Sequence, residues 1–238
     1  MTEQIRLGVI VPSVNIVVEE WYPRVVPDGV SVHFARMLIG EGSSAERIIA
    51  MDREDGARAI RQLASSRPHA IAYGCTASSI VQGHAFDERL RGEIRHIAGA
   101  PATTATDSIF AACHALGLRR VTAISPYTEA VDAAEHRFFA EGGVDCLAGA
   151  CLGITDGFRL AEPEPAAIFD LALGAWDPQS DGLIVACLNF RSHPIIDALE
   201  ARIGKPVVTS TQAVLWHLLR LAGVKTPVPG FGRLLRQH

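Results

Sequence analysis

The chain has 238 residues, 48% of them hydrophobic and 20% charged, which supplies a buried core and excludes a disordered tail or a fibre. Twenty-two Lys plus Arg against 26 Asp plus Glu give a formal charge of −4 with no basic run, so nucleic acid is not an expected partner. The longest apolar stretches, such as residues 182–188, are far short of the ~20 residues that cross a bilayer, so a membrane is not expected either.

The chain begins Met1-Thr2-Glu3-Gln4-Ile5-Arg6, without the apolar core or small-residue cleavage site of a secretory leader, and a cytoplasmic location is expected. Residues 7–12 read as a short strand ending at Pro12, followed by the loop Ser13-Val14-Asn15 and a helix. The order recurs at residues 70–73 with the loop Gly74-Cys75-Thr76-Ala77-Ser78, at 121–124 with Ser125-Pro126-Tyr127, and at 183–186 with Cys187-Leu188-Asn189. Wholly apolar strands between helices predict a parallel sheet covered on both faces.

An internal repeat organises these segments. Residues 6–12 lie against 120–126, bringing Pro12 and Pro126 into register; 69–75 lie against 181–187, making Cys75 and Cys187 equivalent; and 99–106 lie against 204–211. The expected fold is therefore α/β, with two pseudosymmetric domains, each a small parallel sheet flanked by helices. The first domain is residues 1–105 with 213–238 and the second is residues 106–212. Ligands of such sheets bind beyond the carboxyl ends of the strands, which places the active site in the cleft between the domains.

Five cysteines without CxxC or Cys/His spacing give no disulfide framework and no zinc site, and nine histidines without i, i+4 spacing give no helical metal pair. No metal or cofactor is expected. Cys75 and Cys187 are predicted to face each other across the cleft, each at a helix N-terminus that favours thiolate. Two such thiols suit cofactor-independent chemistry on a small carbon acid, one adding or taking a proton and the other delivering a proton from the opposite side. Thr76, Ser78, Ser79 and the amides after each cysteine are candidate donors to a substrate carboxylate, or ordinary N-caps. Pro12, Ser13 and Asn15 at the first strand end, Tyr127 at the equivalent loop, and Leu188 and Asn189 after Cys187 complete the candidate substrate-binding set. Asn15 could equally cap its helix, and Arg191 either pairs with a second carboxylate or is solvated.

Gly8-Val9-Ile10-Val11-Pro12-Ser13-Val14-Asn15 with Glu19, Gly74-Cys75-Thr76, Ser125-Pro126-Tyr127 and Ala186-Cys187 resemble the aspartate/glutamate racemase superfamily, and within it the maleate cis-trans isomerases. Leu152-Gly153-Ile154-Thr155 and the tail Pro229-Gly230-Phe231-Gly232-Arg233-Leu234 are similar to arylmalonate decarboxylases, which characteristically have only the cysteine matching Cys187. The resemblance implies a cis-trans isomerase of a small enedioate, with Cys75 as nucleophile and Cys187 as acid/base. An amino-acid or hydantoin racemase and an arylmalonate-type decarboxylase use the same cleft, and a non-catalytic carboxylate-binding module is the alternative of another class. Gly157 stands where the isomerases usually carry an Asn that helps hold substrate. A small carboxylate is the expected partner, with a homo-oligomer as a further expectation.

Overall fold

The computed structural model describes residues 4–42 and 44–238; Met1, Thr2 and Glu3, part of the start on which the absence of a leader is judged, lie outside the described residues. The first half runs β1 (Ile5–Pro12), α1 (Val18–Val25), β2 (Val30–Met37), α2 (Ala45–Met51), one π-helical turn (Asp52–Gly56), α3 (Ala57–Ala64), β3 (Ala70–Tyr73), α4 (Thr76–Gln82), α5 (His84–Ala98), β4 (Ala102–Thr104) and α6 (Ala105–Leu116). The second runs β5 (Arg120–Ser125), α7 (Glu129–Glu141), β6 (Asp145–Cys151), α8 (Pro165–Ala175), β7 (Gly182–Val185), α9 (Ile196–Ile203), β8 (Val207–Thr209), α10 (Ser210–Leu221) and α11 (Gly232–Gln237), with 3₁₀ turns at Arg159–Ala161 and His193–Ile195. Among the described residues no helix is long and apolar enough to cross a membrane.

The strands form two parallel four-stranded sheets of matching order, β2-β1-β3-β4 and β6-β5-β7-β8. The fold is α/β, two sheets flanked by helices, as the apolar strands and the repeat predict. In each sheet the first strand of its half lies between the two strands that follow it, so the chain reverses direction across the sheet at β1/β3 and at β5/β7. Loops diverge at such points, and the carboxyl-end crevice they leave is where α/β sheets bind ligands.

The two-residue period of a strand assigns each apolar side chain to a core. Leu7, Val9, Val11, Ala70 and Ala72 from the first sheet and Val121, Ala123, Ile184 and Val208 from the second share one central core with α6 and α10. Ile10, Ile71 and Tyr73 face the opposite way, against Met51, Ile60 and Ile94, while Ile124, Leu183, Val185 and Val207 face Ile168 and Leu199. Helix α10 packs on α6, β3 and β4. The two central helices start alike: Thr104 Oγ1 accepts from the Asp107 N–H and Thr209 Oγ1 from the Gln212 N–H, at positions 105 apart, as in the repeat.

Candidate active site

Cys75 and Cys187 stand two residues beyond the ends of β3 and β7, and both line one cavity of about 60 Å³. Pro12, Asn15, Thr76, Tyr127, Leu188 and Asn189 share its wall, so the strand-end loops of both halves converge as the topology requires. Ser13 does not reach it: its Oγ accepts from the Ile39 N–H at 3.2 Å and its carbonyl accepts from Arg36. Arg191 lines a separate hollow beside Trp21 and His193, away from the thiols. Residues that sequence reasoning missed, Val14, Ile39, Ile48, Val131 and Leu160, make much of the remaining wall apolar, and none of its described residues is Arg, Lys or His. Among the described residues there is no group of three or more His, Cys, Asp or Glu arranged for a metal.

The local backbone explains how the sulfurs are held. Gly74 has no room for a side chain, since a Cβ there would lie 2.9 Å from the Ile10 carbonyl oxygen and 3.0 Å from Leu188 Cδ2. The Gly74 N–H donates to that same carbonyl at 2.6 Å, which ties the residue before Cys75 to β1. Cys187 sits at φ +83°, in the left-handed region that side chains avoid. The expected helix at Cys187 is absent. The chain makes a turn through residues 188–189, and α9 begins only at Ile196, so no helix starts at this sulfur.

A further correction concerns ionisation. Burial dominates at both cysteines and pushes each thiol up to about 12, where the sequence alone suggested an acidified thiol. Hydrogen bonds oppose the burial without overcoming it. Cys75 is contacted by the hydroxyl and N–H of Ser78, and Cys187 by the Tyr127 hydroxyl and by the Asn189 N–H at 3.4 Å. Negative charge on Cys187 would raise Cys75 further, as expected of two sulfurs facing one cavity.

The polar residues divide between holding the loops and facing the cavity. Asn15 Oδ1 accepts from the N–H groups of Val17 and Val18 at 3.1 and 3.2 Å, capping the entry to α1 and leaving the NH₂ side of its amide for the cleft. Asn189 commits its whole amide to the main chain. Its Oδ1 accepts from the Ile16 N–H at 3.0 Å, and its Nδ2 donates to the carbonyls of Val14 and Gly157 at 3.2 and 3.0 Å. It therefore stitches three loops instead of offering a free amide. Ser78 and Ser79 donate to the carboxylates of Asp52 and Asp87 at 2.9 and 2.6 Å, and so neither caps α4 nor faces the cavity. Gly157 lines the wall, with Val14 Cγ2 only 3.2 Å from where a Cβ would stand.

Two equivalent parallel sheets, each presenting a cysteine to a common cleft, define a two-thiol α/β enzyme. The chain matches the arylmalonate decarboxylase family over residues 7–235 and belongs to it. It is 30% identical over 231 residues to the arylmalonate decarboxylase of Bordetella bronchiseptica, covering 96% of this chain and 95% of that protein. It is 26% identical over 249 residues to the maleate isomerase of Pseudomonas putida, covering 99% and 98%. The crystal structure of a Pseudomonas putida maleate isomerase with maleate, one cysteine replaced by alanine, superposes with a TM-score of 0.90 at 26% identity, covering 97% of each chain.

Proposed function

We propose that the protein is a cofactor-independent cis-trans isomerase of a small enedioate, of the maleate-to-fumarate type. The observation that carries this is the pair of thiols, one from each half, on the wall of a single small cavity. Decarboxylation needs one proton donor; reversible addition to an alkene needs a nucleophile and an opposed acid.

In this mechanism Cys75, its S–H proton first lost to solvent, adds as the thiolate to one olefinic carbon and Cys187 gives its proton to the neighbouring carbon, forming a thioether whose former double bond is now a rotatable single bond. After rotation, Cys187 thiolate takes a proton back, the C–S bond breaks with its electron pair returning to Cys75 as thiolate, and the trans alkene leaves. The carboxylate beside the reacting carbon gains charge as an enediolate. The Asn15 amide and the first-turn amides of α4, which have no acceptor within the helix, are the donors nearest that charge, while the Thr76 hydroxyl donates to Ser210 Oγ at 3.4 Å. Tyr127, whose hydroxyl donates to Cys187, holds that sulfur's direction.

Proton NMR of the purified protein with maleate in D₂O tests this. Fumarate formed by the native enzyme and lost in both Cys75→Ala and Cys187→Ala establishes the isomerase. Unchanged maleate refutes that substrate. The apolar wall of Val14, Ile39, Ile48, Val131 and Leu160 favours one second reading, decarboxylation of a substituted malonate protonated by Cys187. Carbon dioxide release that survives Cys75→Ala is its signature.

A further inference from the structure

The turn that carries Cys187 is held from outside itself. Cys187 adopts φ +83°, and an L-residue keeps that conformation only where surrounding contacts over-determine it. Asn189 supplies such contacts at both of its ends. Its main-chain N–H turns back to donate to Cys187 Sγ at 3.4 Å, while its side chain reaches across the cleft to the first half of the chain.

The crossing bonds are matched group to group. Asn189 Oδ1 accepts from the Ile16 N–H at 3.0 Å, and Nδ2 donates one hydrogen to the Val14 carbonyl at 3.2 Å and the other to the Gly157 carbonyl at 3.0 Å. Two carbonyls at one end of the amide and an N–H at the other leave it a single orientation. The Val14 C=O and the Ile16 N–H are the main-chain groups on either side of Asn15. They are the same pair that a residue offers to a neighbouring strand, so the Asn189 amide stands in for a peptide unit of such a neighbour. Asn15, gripped between them, is 2% exposed, commits its Oδ1 to the entry of α1 and leaves its NH₂ side for the cavity.

The repeat shows how the two thiols diverge here. The position equivalent to Asn189 in the first half is Ala77, the second residue of α4, whose methyl group can make no such bond. The two cysteines are equivalent in the repeat, yet the sulfur fastened to the loop of Asn15 is that of Cys187.

We propose that Asn189 is a positioning residue that registers the Cys187 sulfur against a substrate carboxylate held by Asn15, and so sets the proton transfer to carbon. In that step the electron pair of the enediolate forms the C–H bond and the S–H pair stays on sulfur as thiolate. The Asn189 N–H already points at the charge that appears there. Such a register matters because a misplacement of about 1 Å costs about 100-fold in rate. This deepens the isomerase reading and rests on it for Cys187 as the acid and Asn15 as the carboxylate's donor.

Succinate, the saturated and unreactive counterpart of the enedioate, reads the register without turnover. It is titrated by NMR into the native chain, Asn15→Ala, Asn189→Ala and the double variant. Asn15→Ala weakens binding at least about tenfold, the loss of a hydrogen bond to a charged group. Asn189→Ala weakens it by a similar factor, and the double variant by no more than either, because one residue acts through the other. A merely structural role would lower the melting temperature of Asn189→Ala and leave its affinity unchanged well below melting. That result overturns the proposal, as do additive losses or a native chain that does not bind succinate. Should Asn189→Ala not fold, the side-chain NH₂ resonances of Asn189 in the native chain decide: they shift as succinate saturates the site, and resonances that stay in place overturn the proposal. With maleate, Asn189→Ala lowers kcat about 100-fold, and an unchanged kcat overturns the proposal while leaving the isomerase intact. A native chain that binds succinate with this coupling but leaves maleate unchanged sinks the isomerase reading instead, and supports the register for malonate decarboxylation, in which Cys187 is also the proton donor.

Discussion

At φ +83°, Cys187 should invert the usual order of stability between alanine and glycine. An L-residue in the left-handed region costs about 1–2 kcal/mol, which glycine escapes, while glycine loses about 0.5–1 kcal/mol more chain entropy on folding. Cys187→Ala discards the sulfur with its Tyr127 and Asn189 contacts but keeps the Cβ and its strain. Cys187→Gly discards both. The difference favours the glycine variant by about 0.5–1 kcal/mol, or about 1–4 °C in Tm for a chain of this length. Differential scanning calorimetry of the two variants, purified and scanned side by side, reads this directly. Both variants lack the sulfur, so stability and not turnover is the quantity that separates them. A glycine variant that melts below the alanine variant refutes the argument, because glycine should lose only where the backbone is unstrained.

Three other outcomes follow from the geometry. Asp52 binds its proton more tightly in the folded chain, at about 6 against an ordinary 3.8, so its contribution to stability is full below pH about 4 and is lost as pH rises through 6. Urea titrations from pH 4 to 7 should show Asp52→Asn gaining on the native chain over that window, by at most about 3 kcal/mol. Asn189→Ala leaves the Ile16 N–H and the Val14 and Gly157 carbonyls without their partner, and should cost about 2–3 kcal/mol, seen as a Tm about 4–12 °C lower. Gly74→Ala drives a Cβ against the Ile10 carbonyl oxygen, a backbone atom with no rotamer to change. It should cost about 1–3 kcal/mol and, by shifting the adjacent Cys75, should slow turnover more than it slows Cys187 alkylation.

The strands and the two cysteines were legible because their cause is local. An apolar run between helices can satisfy itself only in a covered parallel sheet, and the repeat places Cys75 and Cys187 at one position of that unit. What depends on closure over long range was not legible. Asp52-Arg53-Glu54-Asp55 reads as a solvated acidic turn, and nothing within it points to Tyr73 and Ser78, which reach Asp52 only after β3 and α4 pack. Asn189 joins loops more than 30 residues away on one side and more than 170 on the other, so its role as a stitch has no local sign. Thiol acidity failed for a related reason. The short helix after Cys75 is visible in the sequence, but the closed, apolar cleft that outweighs it is made by Ile39, Ile48 and Leu160 from segments the strand-end argument ignores.

That closure sets a kinetic condition on Cys75. Raising a thiol from about 9 to about 12 cuts the thiolate present at pH 7 about a thousandfold. The thiolate that does form is more nucleophilic, but with a Brønsted slope of about 0.4–0.5 the gain over three units is only about 20–30-fold. A sulfur that had to ionise first and react afterwards would thus be about 30–50-fold slower here than an unburied one. Cys187 faces no such requirement, because an acid that must hold its proton until the carbanion forms is served by the same burial. One dry cleft therefore asks opposite things of two equivalent thiols, and their polar neighbours differ: Ser78 of α4 beside Cys75, the Tyr127 hydroxyl and the Asn189 N–H beside Cys187.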